Sequence, residues 1–169
     1  NRIDQSELVN VIEAIVSASN SGKKIITCGN GGSALTASHY ITDWNKMTNL
    51  KAGKKFRGFC LSDNTGLMTA FSNDLSYEDV FSGQLKAIMD EQDTLVAVSG
   101  SGNSENVVRC VHAAKSLNGK VVGILGFDGG KLKGLCDLSV IVPSFDMQIC
   151  EDLHLSIGHL IMKRLTDEL

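Results

Sequence analysis

The apolar residues of this chain alternate between short continuous runs and longer segments with helical spacing. The short runs, the first of which is rich in β-branched residues, predict five strands, over 24–28, 57–61, 94–99, 120–125 and 138–142. Apolar residues at helical spacing predict helices over 3–20, 34–45, 64–72, 77–90, 105–117 and 147–167. Strands that are apolar on both faces and separated by helices favour a parallel sheet with helices on each side. We therefore predict an α/β fold, a three-layer sandwich around a five-stranded parallel sheet.

Composition and charge narrow the class of protein. With 169 residues, of which 43% are hydrophobic, the chain is long enough for one globular domain over 1–169 that needs no disulfides. The 16 basic and 19 acidic residues give a net charge of −3, without the basic excess of a nucleic-acid binder. No apolar run approaches the roughly 18 residues that cross a bilayer. We therefore expect neither a nucleic acid nor a membrane as partner.

The cysteines and the N-terminus indicate the compartment. Five cysteines are widely spaced with no C-x-x-C pair, which favours buried, reduced thiols in a cytoplasmic protein. The first four residues, Asn1 to Asp4, do not match a signal peptide. Because no Met precedes them, we expect a truncated N-terminus.

Two loops rich in glycine and serine, 29–33 and 99–104, each follow a predicted strand and open a helix. Ligands of such sheets bind outside the carboxyl ends of the strands. Glycine lets a backbone approach a ligand closely, and a helix N-terminus offers unpaired N–H groups, so these loops suit a phosphate monoester. Neither the Walker A nor the G-x-G-x-x-G pattern is present in the first loop. The alternative is structural: the glycines only turn the chain and Ser104 only caps a helix.

Two pairs of histidine and carboxylate lie at helical spacing. His39 and Asp43 are four residues apart, and Glu151 and His159 are two turns apart on the last helix. Periodicity alone favours Asp152 over Glu151 as the neighbour of His159. These pairs predict either a metal site with nitrogen and oxygen ligands or a general acid–base pair. The alternative is ion pairing on solvated helix faces.

The remaining polar and aromatic features receive structural interpretations. Residues 46–57 carry five basic side chains and no acidic one, which favours a solvated loop or helix end. A less favoured interpretation is that they face a phosphorylated ligand or an acidic partner. Trp44 is expected to pack or stack, and Asp74 to occupy a turn or cap. We assign no chemical role to His112 or His154.

Four motifs then resemble one family, in its expected order. They are C-G-N-G-G-S at 28–33 followed by A-S-H at 37–39, N-D at 73–74, V-S-G-S-G-N-S at 98–104, and E-D-L-H-L-S-I-G-H at 151–159. Together they resemble sugar isomerase (SIS) domains of the phosphoheptose isomerase family, over nearly the whole chain. The resemblance implies a flavodoxin-like sheet and phosphosugar binding.

The resemblance also implies a reaction and a site. The reaction converts sedoheptulose 7-phosphate into D-glycero-D-manno-heptose 7-phosphate, through an enediol, with Asp43 as base and His159 as acid. A zinc ion would be held in each subunit of a cytoplasmic homotetramer, with active sites at subunit interfaces. The implied metal ligands are His39, Asp43, Glu151 and His159. The implied substrate-binding residues are Asn30, Gly31, Gly32, Ser33, Asp43, Asn73, Asp74, Ser99, Gly100, Ser101, Ser104 and Glu151.

Three residues depart from the family pattern. Asp43 stands where the family usually has Glu, so its carboxylate would fall short unless the helix moves. Glu151 replaces a Gln and adds negative charge, and Gly100 replaces a Thr and removes a hydroxyl. Two alternatives therefore stay open: an isomerase of another ketose phosphate, or a non-catalytic SIS protein that binds phosphosugars or a replication initiator. Whether Asp43 acts as a metal ligand or as a free base also stays open.

Overall fold

The computed structural model describes residues 2–168, which form five strands and seven α-helices. The strands are β1 (Ile25–Cys28), β2 (Gly58–Cys60), β3 (Thr94–Ser99), β4 (Lys120–Gly126) and β5 (Leu138–Val142). The helices are α1 (Gln5–Asn20), α2 (Gly32–Ala52), α3 (Thr65–Asp74), α4 (Val80–Ile88), α5 (Glu105–Ser116), α6 (Gly130–Lys133) and α7 (Met147–Leu165). A short 3-10 helix, Tyr77–Asp79, precedes α4.

All five strands pair in parallel, in the order β2-β1-β3-β4-β5. This is the order of flavodoxin-like sheets, so the predicted fold class is confirmed. In such a sheet the chain leaves β1 toward β2 on one side, whereas β3 to β5 lie on the other. The crevice between β1 and β3 is therefore where a ligand is expected.

Alternate residues of the strands pack on opposite faces of the sheet. From β3, Val96 and Val98 join the cluster formed with α1, α2 and α7. Leu95 and Ala97 join the cluster formed with α4 and α5. This period of two buries the central strands β1, β3 and β4 on both sides and produces the three layers that the apolar runs predict.

Three helix predictions need correction. The predicted helix over 34–45 continues as α2 to Ala52, where Gly53 ends it in the left-handed region at φ 61°. The basic residues 46–52 therefore lie on helical turns, which matches the helix-end interpretation; Lys51, for example, pairs with Glu168. The predicted helix over 77–90 is divided between the 3-10 helix and α4. The one-turn α6 was missed, because four residues are too few to show a period.

The cysteines are free thiols, as predicted. Burial raises the pKa of Cys60 to about 11 and that of Cys136 to about 12, so both thiols stay protonated near neutral pH. Among the helices of residues 2–168, none combines the length and apolarity that a bilayer crossing requires.

Candidate active site

The two glycine-rich loops meet at the carboxyl ends of β1 and β3, because these strands are neighbours in the sheet. Between them lies a cavity of about 280 Å³, bordered also by the start of α7. Its walls are Asn30, Gly31, Gly32, Ser33, Val98, Ser99, Gly100, Ser101, Ser104, Met147 and Glu151. Most of the residues expected to bind substrate are thus brought together in one place.

Two helix N-termini open onto this cavity without a side-chain cap. At the start of α2, the N-cap position is Gly31, at φ 54° and ψ −125°, a conformation that L-residues rarely adopt. At the start of α5, Ser104 holds the N-cap position, but its side chain makes no capping hydrogen bond. The first two N–H groups of each helix, at the positive ends of the helix dipoles, therefore remain available to an anion. Capping alone does not account for Ser104.

The serines of the β3–α5 loop are oriented by the loop backbone. The Gly102 N–H donates to Ser99 Oγ at 3.0 Å, and the Asn103 N–H donates to Ser101 Oγ at 3.3 Å. Because each hydroxyl oxygen accepts a bond, each hydroxyl hydrogen remains free to donate to a ligand. Phosphate oxygens are acceptors, which matches this arrangement.

Asn30 is held by a hydrogen-bonded group that the sequence did not reveal. Its amide exchanges two hydrogen bonds with the buried Asn106, at 2.8 and 2.9 Å. The hydroxyl of Tyr77 also donates to Asn30 Oδ1, at 2.9 Å. Asn106 and Tyr77 were missed because a polar residue near a helix start is ordinary in sequence. They fix the orientation of Asn30 at the cavity wall.

A second group of polar side chains lies farther along α2 and α7. His39 Nε2 is 3.2 Å from His159 Nε2 and 3.1 Å from Asp43 Oδ2, and His159 Nε2 is 3.7 Å from that same oxygen. The three side chains are partly exposed, at 44% for His39, 45% for His159 and 26% for Asp43. They therefore combine mutual contact with access for a ligand.

This group fits a metal ion such as zinc. One ligand atom of each of His39, Asp43 and His159 lies within 4.8 Å of the other two. Two imidazoles and a carboxylate are donors that zinc accepts, and three protein ligands leave a position open. The fold thus brings His39 and Asp43 of α2 to His159 of α7, three of the four predicted metal ligands.

The packing of α2 on α7 creates this geometry. Tyr40 and Trp44, each the next residue after His39 and Asp43, are buried and stack with ring centroids 4.9 Å apart. The Tyr40 hydroxyl donates to the carbonyl of His154, and Trp44 Nε1 donates to the carbonyl of Gly158 at 3.0 Å. Trp44 packs and stacks as predicted, and the two rings tie the helix that carries His39 to the helix that carries His159.

Glu151 lines the cavity next to the first turn of α2. A Cβ added to Gly32 would lie 2.7 Å from Glu151 Oε2 and closer still to Oε1. Glu151 is not part of the three-residue group around His39, so its role as a metal ligand stays a prediction. Asp152, which periodicity favours, is exposed and does not line the cavity.

Asn73 and Asp74 lie outside the cavity. They are the last residues of α3, both exposed, and the Asn73 amide donates to Asp74 Oδ1 at 2.9 Å. Asp74 thus ends a helix rather than capping the start of the next one. Their proposed contact with substrate stays a prediction.

The basic segment borders a different surface. Lys46, Lys55 and Arg57 line an open groove of about 740 Å³ alongside α2. None of its lining residues lines the cavity at β1 and β3, and none belongs to the group formed by His39, Asp43 and His159, here called the histidine group. The groove is larger than the cavity, but it lacks the converging N–H groups and hydroxyls.

The distance between the cavity and the group of His39, Asp43 and His159 can be estimated along both helices. His39 follows Gly32 by seven residues on α2, and His159 follows Glu151 by eight on α7. At 1.5 Å per residue, these steps correspond to about 10–12 Å along each helix axis. A ligand whose anionic end lies in the cavity would therefore need a chain of several carbons to reach the imidazoles.

Comparison with known proteins identifies the family. Residues 2–126 match the SIS domain model. The phosphoheptose isomerase of Clostridium acetobutylicum is 36% identical over 163 residues, which covers 96% of this chain and 83% of the relative. That of Aliarcobacter butzleri is 34% identical over 165 residues, covering 98% and 87%.

A solved structure agrees with these sequence matches. The phosphoheptose isomerase of Neisseria gonorrhoeae superposes with a TM-score of 0.89 at 30% identity, covering 98% of this chain and 87% of that one. The chain belongs to the phosphoheptose isomerase family of SIS-domain proteins.

Proposed function

We propose that this protein is a ketose–aldose isomerase that converts sedoheptulose 7-phosphate into D-glycero-D-manno-heptose 7-phosphate. One observation carries the proposal: an anion cavity and an acid–base group lie about 10–12 Å apart along the same two helices. A phosphorylated seven-carbon sugar has its phosphate and its carbonyl at opposite ends of a chain of comparable length. Family membership supports the same reaction.

The cavity binds the phosphate. Ser99, Ser101 and Ser104 donate hydroxyl hydrogens, and the uncapped N-termini of α2 and α5 donate backbone N–H groups. Asn30, held by Asn106, donates from its amide to the adjoining sugar hydroxyls. Asn73 and Asp74, at the end of α3, would contact the substrate, as the family motif implies.

Asp43 and His159 transfer the protons. Asp43 removes a proton from C1 of the open-chain ketose, and the electron pair of that C–H bond forms the C1=C2 double bond. The carbonyl oxygen at C2 takes a proton from His159, which gives the enediol. In the second half of the reaction, His159 takes a proton from the oxygen at C1, and Asp43 returns its proton to C2, which gives the aldose. Each group contributes about 10²–10⁴-fold.

His39, Asp43 and His159 would hold one zinc ion per subunit, with Glu151 as the fourth ligand. When bound, zinc supplies a Lewis acid that polarises the substrate carbonyl. Oxygen Oδ2 of Asp43 faces both imidazoles, so we assign metal binding to Oδ2 and proton transfer to Oδ1. One carboxylate can then serve both roles. Nε2 of His159 faces the same group, so we assign metal binding to Nε2 and proton transfer to Nδ1.

The active site would be completed in a cytoplasmic homotetramer. Leu35 is 75% exposed one turn before His39, and Ile149 and Leu153, on the α7 segment before His159, are 47% and 37% exposed. Large apolar side chains around a half-open polar site are typical of a surface that a second subunit covers. The active sites would therefore lie at subunit interfaces.

The test follows the sugar directly. The purified protein, with zinc added, is incubated with sedoheptulose 7-phosphate, and NMR measures the aldose produced. We expect turnover by the wild type and at least a 100-fold loss in Asp43→Asn and in His159→Ala. His112→Ala, an exposed histidine outside the site, is the matched control and should keep full activity. Full activity in both site variants would remove these roles.

A second candidate function is a non-catalytic phosphosugar-binding protein. The departures of Asp43 and Glu151 from the family pattern favour it, because both residues belong to the set proposed to hold the metal and transfer the protons. This candidate predicts thermal stabilisation by sugar phosphates with no aldose formed, and retention of a partner such as a replication initiator in a pull-down. Turnover of a different ketose phosphate in a substrate panel would indicate the third candidate, an isomerase of another sugar.

A further inference from the structure

Met147, the first residue of α7, occupies space above the serine loop that a side chain at position 100 would otherwise fill. A Cβ added to Gly100 would lie 2.9 Å from Met147 Cε and closer still to Sδ. Both residues line the anion cavity. The glycine in the loop and the thioether above it are therefore complementary in shape.

The position of Met147 is fixed by the start of α7. Asp146 caps this helix, and its Oδ1 accepts the N–H groups of Gln148 at 3.0 Å and Ile149 at 3.3 Å. One turn later, Cys150 packs against the end of β4, where a Cβ on Gly126 would lie 2.7 Å from Cys150 Sγ. The thioether thus extends from a well-anchored helix end.

Met147 also differs chemically from the rest of the cavity wall. Around it stand glycines, small hydroxyl side chains, an amide and a carboxylate, and the one other apolar side chain of the wall, Val98, is fully buried. A thioether donates no hydrogen bond to a phosphate oxygen, but it makes close dispersion contacts with carbon. It therefore faces the part of a ligand that is carbon, next to the phosphate.

We propose that Met147 is a specificity-determining residue that selects primary phosphate esters over anomeric and secondary ones. In a primary ester the phosphate is attached to a CH₂ group, which is narrow enough to pass beneath the thioether. In an anomeric or secondary ester the carbon carries two further heavy-atom substituents, which would collide with Met147. The inference rests on the proposed function, because it assumes that the phosphate occupies the serine loop.

Two probes of the same mass and charge test it. Calorimetry measures binding of glucose 6-phosphate, a primary ester, and glucose 1-phosphate, an anomeric ester, to the intact protein, with inorganic phosphate as the reference. We expect the wild type to favour glucose 6-phosphate about tenfold or more. Met147→Ala should reduce this ratio about tenfold by binding glucose 1-phosphate more tightly.

Two variants serve as matched controls. Met147→Leu keeps the bulk of the side chain and should keep the wild-type ratio. Met162→Ala removes a methionine from the same helix outside the cavity, and it should leave both affinities unchanged. A steric role for Met147 further predicts that Gly100→Ala weakens inorganic phosphate binding in the wild type but not in Met147→Ala.

The outcomes distinguish a failure of the proposed role of Met147 from a failure of the proposed function. If inorganic phosphate and glucose 6-phosphate bind but the ratio is the same in the wild type and Met147→Ala, the role of Met147 is overturned and the proposed function stands. If the wild type binds neither phosphate nor either ester, the anion cavity itself is refuted, and the selectivity proposal with it.

Discussion

His154 is the one histidine within residues 2–168 whose side chain is fully buried. Neither ring nitrogen makes a hydrogen bond of normal geometry in that part of the chain. Burial lowers the pKa of His154, and the nearby Leu125 backbone opposes this shift only in part. The ring is therefore neutral in the folded protein, consistent with the absence of a chemical role in the sequence prediction.

This burial predicts a pH dependence of stability. Above the unfolded pKa of about 6.5, both states are neutral at His154 and its ionisation has no effect. Below it, the unfolded chain binds a proton that the folded chain does not, so the free energy of unfolding falls as the pH decreases. Urea unfolding between pH 7.5 and 5 should show this loss, and His154→Leu should show a smaller one.

His112→Leu is the control for this measurement, because His112 is exposed. It should retain the wild-type slope of stability against pH. Equal slopes in the wild type and His154→Leu would mean that the loss arises from other groups.

Asp43 and Gly100 both depart from the family pattern, and at each position the surrounding structure accommodates the change. Oxygen Oδ2 of the shorter Asp43 side chain still lies 3.1 Å from His39 Nε2 and 3.7 Å from His159 Nε2. The space above Gly100 is filled by Met147. Both substitutions are thus accommodated, which favours an intact site over a decayed one.

At the scale of elements, the contact between α2 and α7 sets the candidate site, and Gly158 of α7 packs tightly against Tyr40 of α2. A Cβ added at Gly158 would lie 3.0 Å from Tyr40 Cζ and closer still to Cε1 and Cδ1. Tyr40 cannot retreat, because it stacks on Trp44 and donates to the carbonyl of His154. An added methyl group must therefore separate the two helices.

Gly158→Ala should destabilise the protein by about 1–3 kcal/mol, the usual cost of overpacking a core. It should also weaken zinc binding and isomerase activity, because His39 and His159 lie on the two helices that separate. Urea unfolding and zinc titration measure both effects. The matched control is Gly134→Ala, where the nearest atom to the added Cβ is 3.9 Å away. Unchanged stability in Gly158→Ala would show that α7 does not pack as described.

Sequence patterns predicted the elements well where they are long and periodic. The five strands and their parallel arrangement follow from short apolar runs separated by helices, and all five are confirmed. The end of α2 was placed too early, because residues 46–52 are mostly polar; burial of Thr48 and the left-handed Gly53 decide where the helix ends. Such decisions depend on tertiary contacts that a local pattern does not contain.

The candidate site was predictable where its residues lie on the loops and helix faces that a parallel sheet brings together. The serine loop and the pair His39 and Asp43 could be found in this way. Asn106 could not, because its importance comes from a hydrogen bond to Asn30, 76 residues earlier in the chain. Met147 could not either, since only the folded chain places it over Gly100.

At the scale of the whole molecule, one sheet supports both halves of the site. The crevice between β1 and β3 supplies the cavity proposed to bind the phosphate, and α2 and α7 carry His39, Asp43 and His159, the group proposed for acid–base chemistry. The family match covers residues 2–126, whereas His159 lies on α7, beyond that range. That residues 1–169 form one domain therefore stays a prediction, although α7 packs against the core cluster that includes Val96 and Val122.

The exposed side chains of Leu35, Ile149 and Leu153 form an apolar rim around the histidine group, and this rim predicts a subunit interface. Burying a leucine stabilises an interface by about 1.5–3 kcal/mol, so placing a charge at Leu35 should dissociate a tetramer that covers it. Leu35→Glu should elute as a smaller species in size-exclusion chromatography with light scattering, and lose activity with its subunit contacts. Leu138→Glu is the control, since Leu138 lies 36% exposed at the amino end of β5, away from the site. If the wild type is monomeric and its specific activity does not change on dilution, each chain holds a complete site. The exposed apolar rim would then need another explanation.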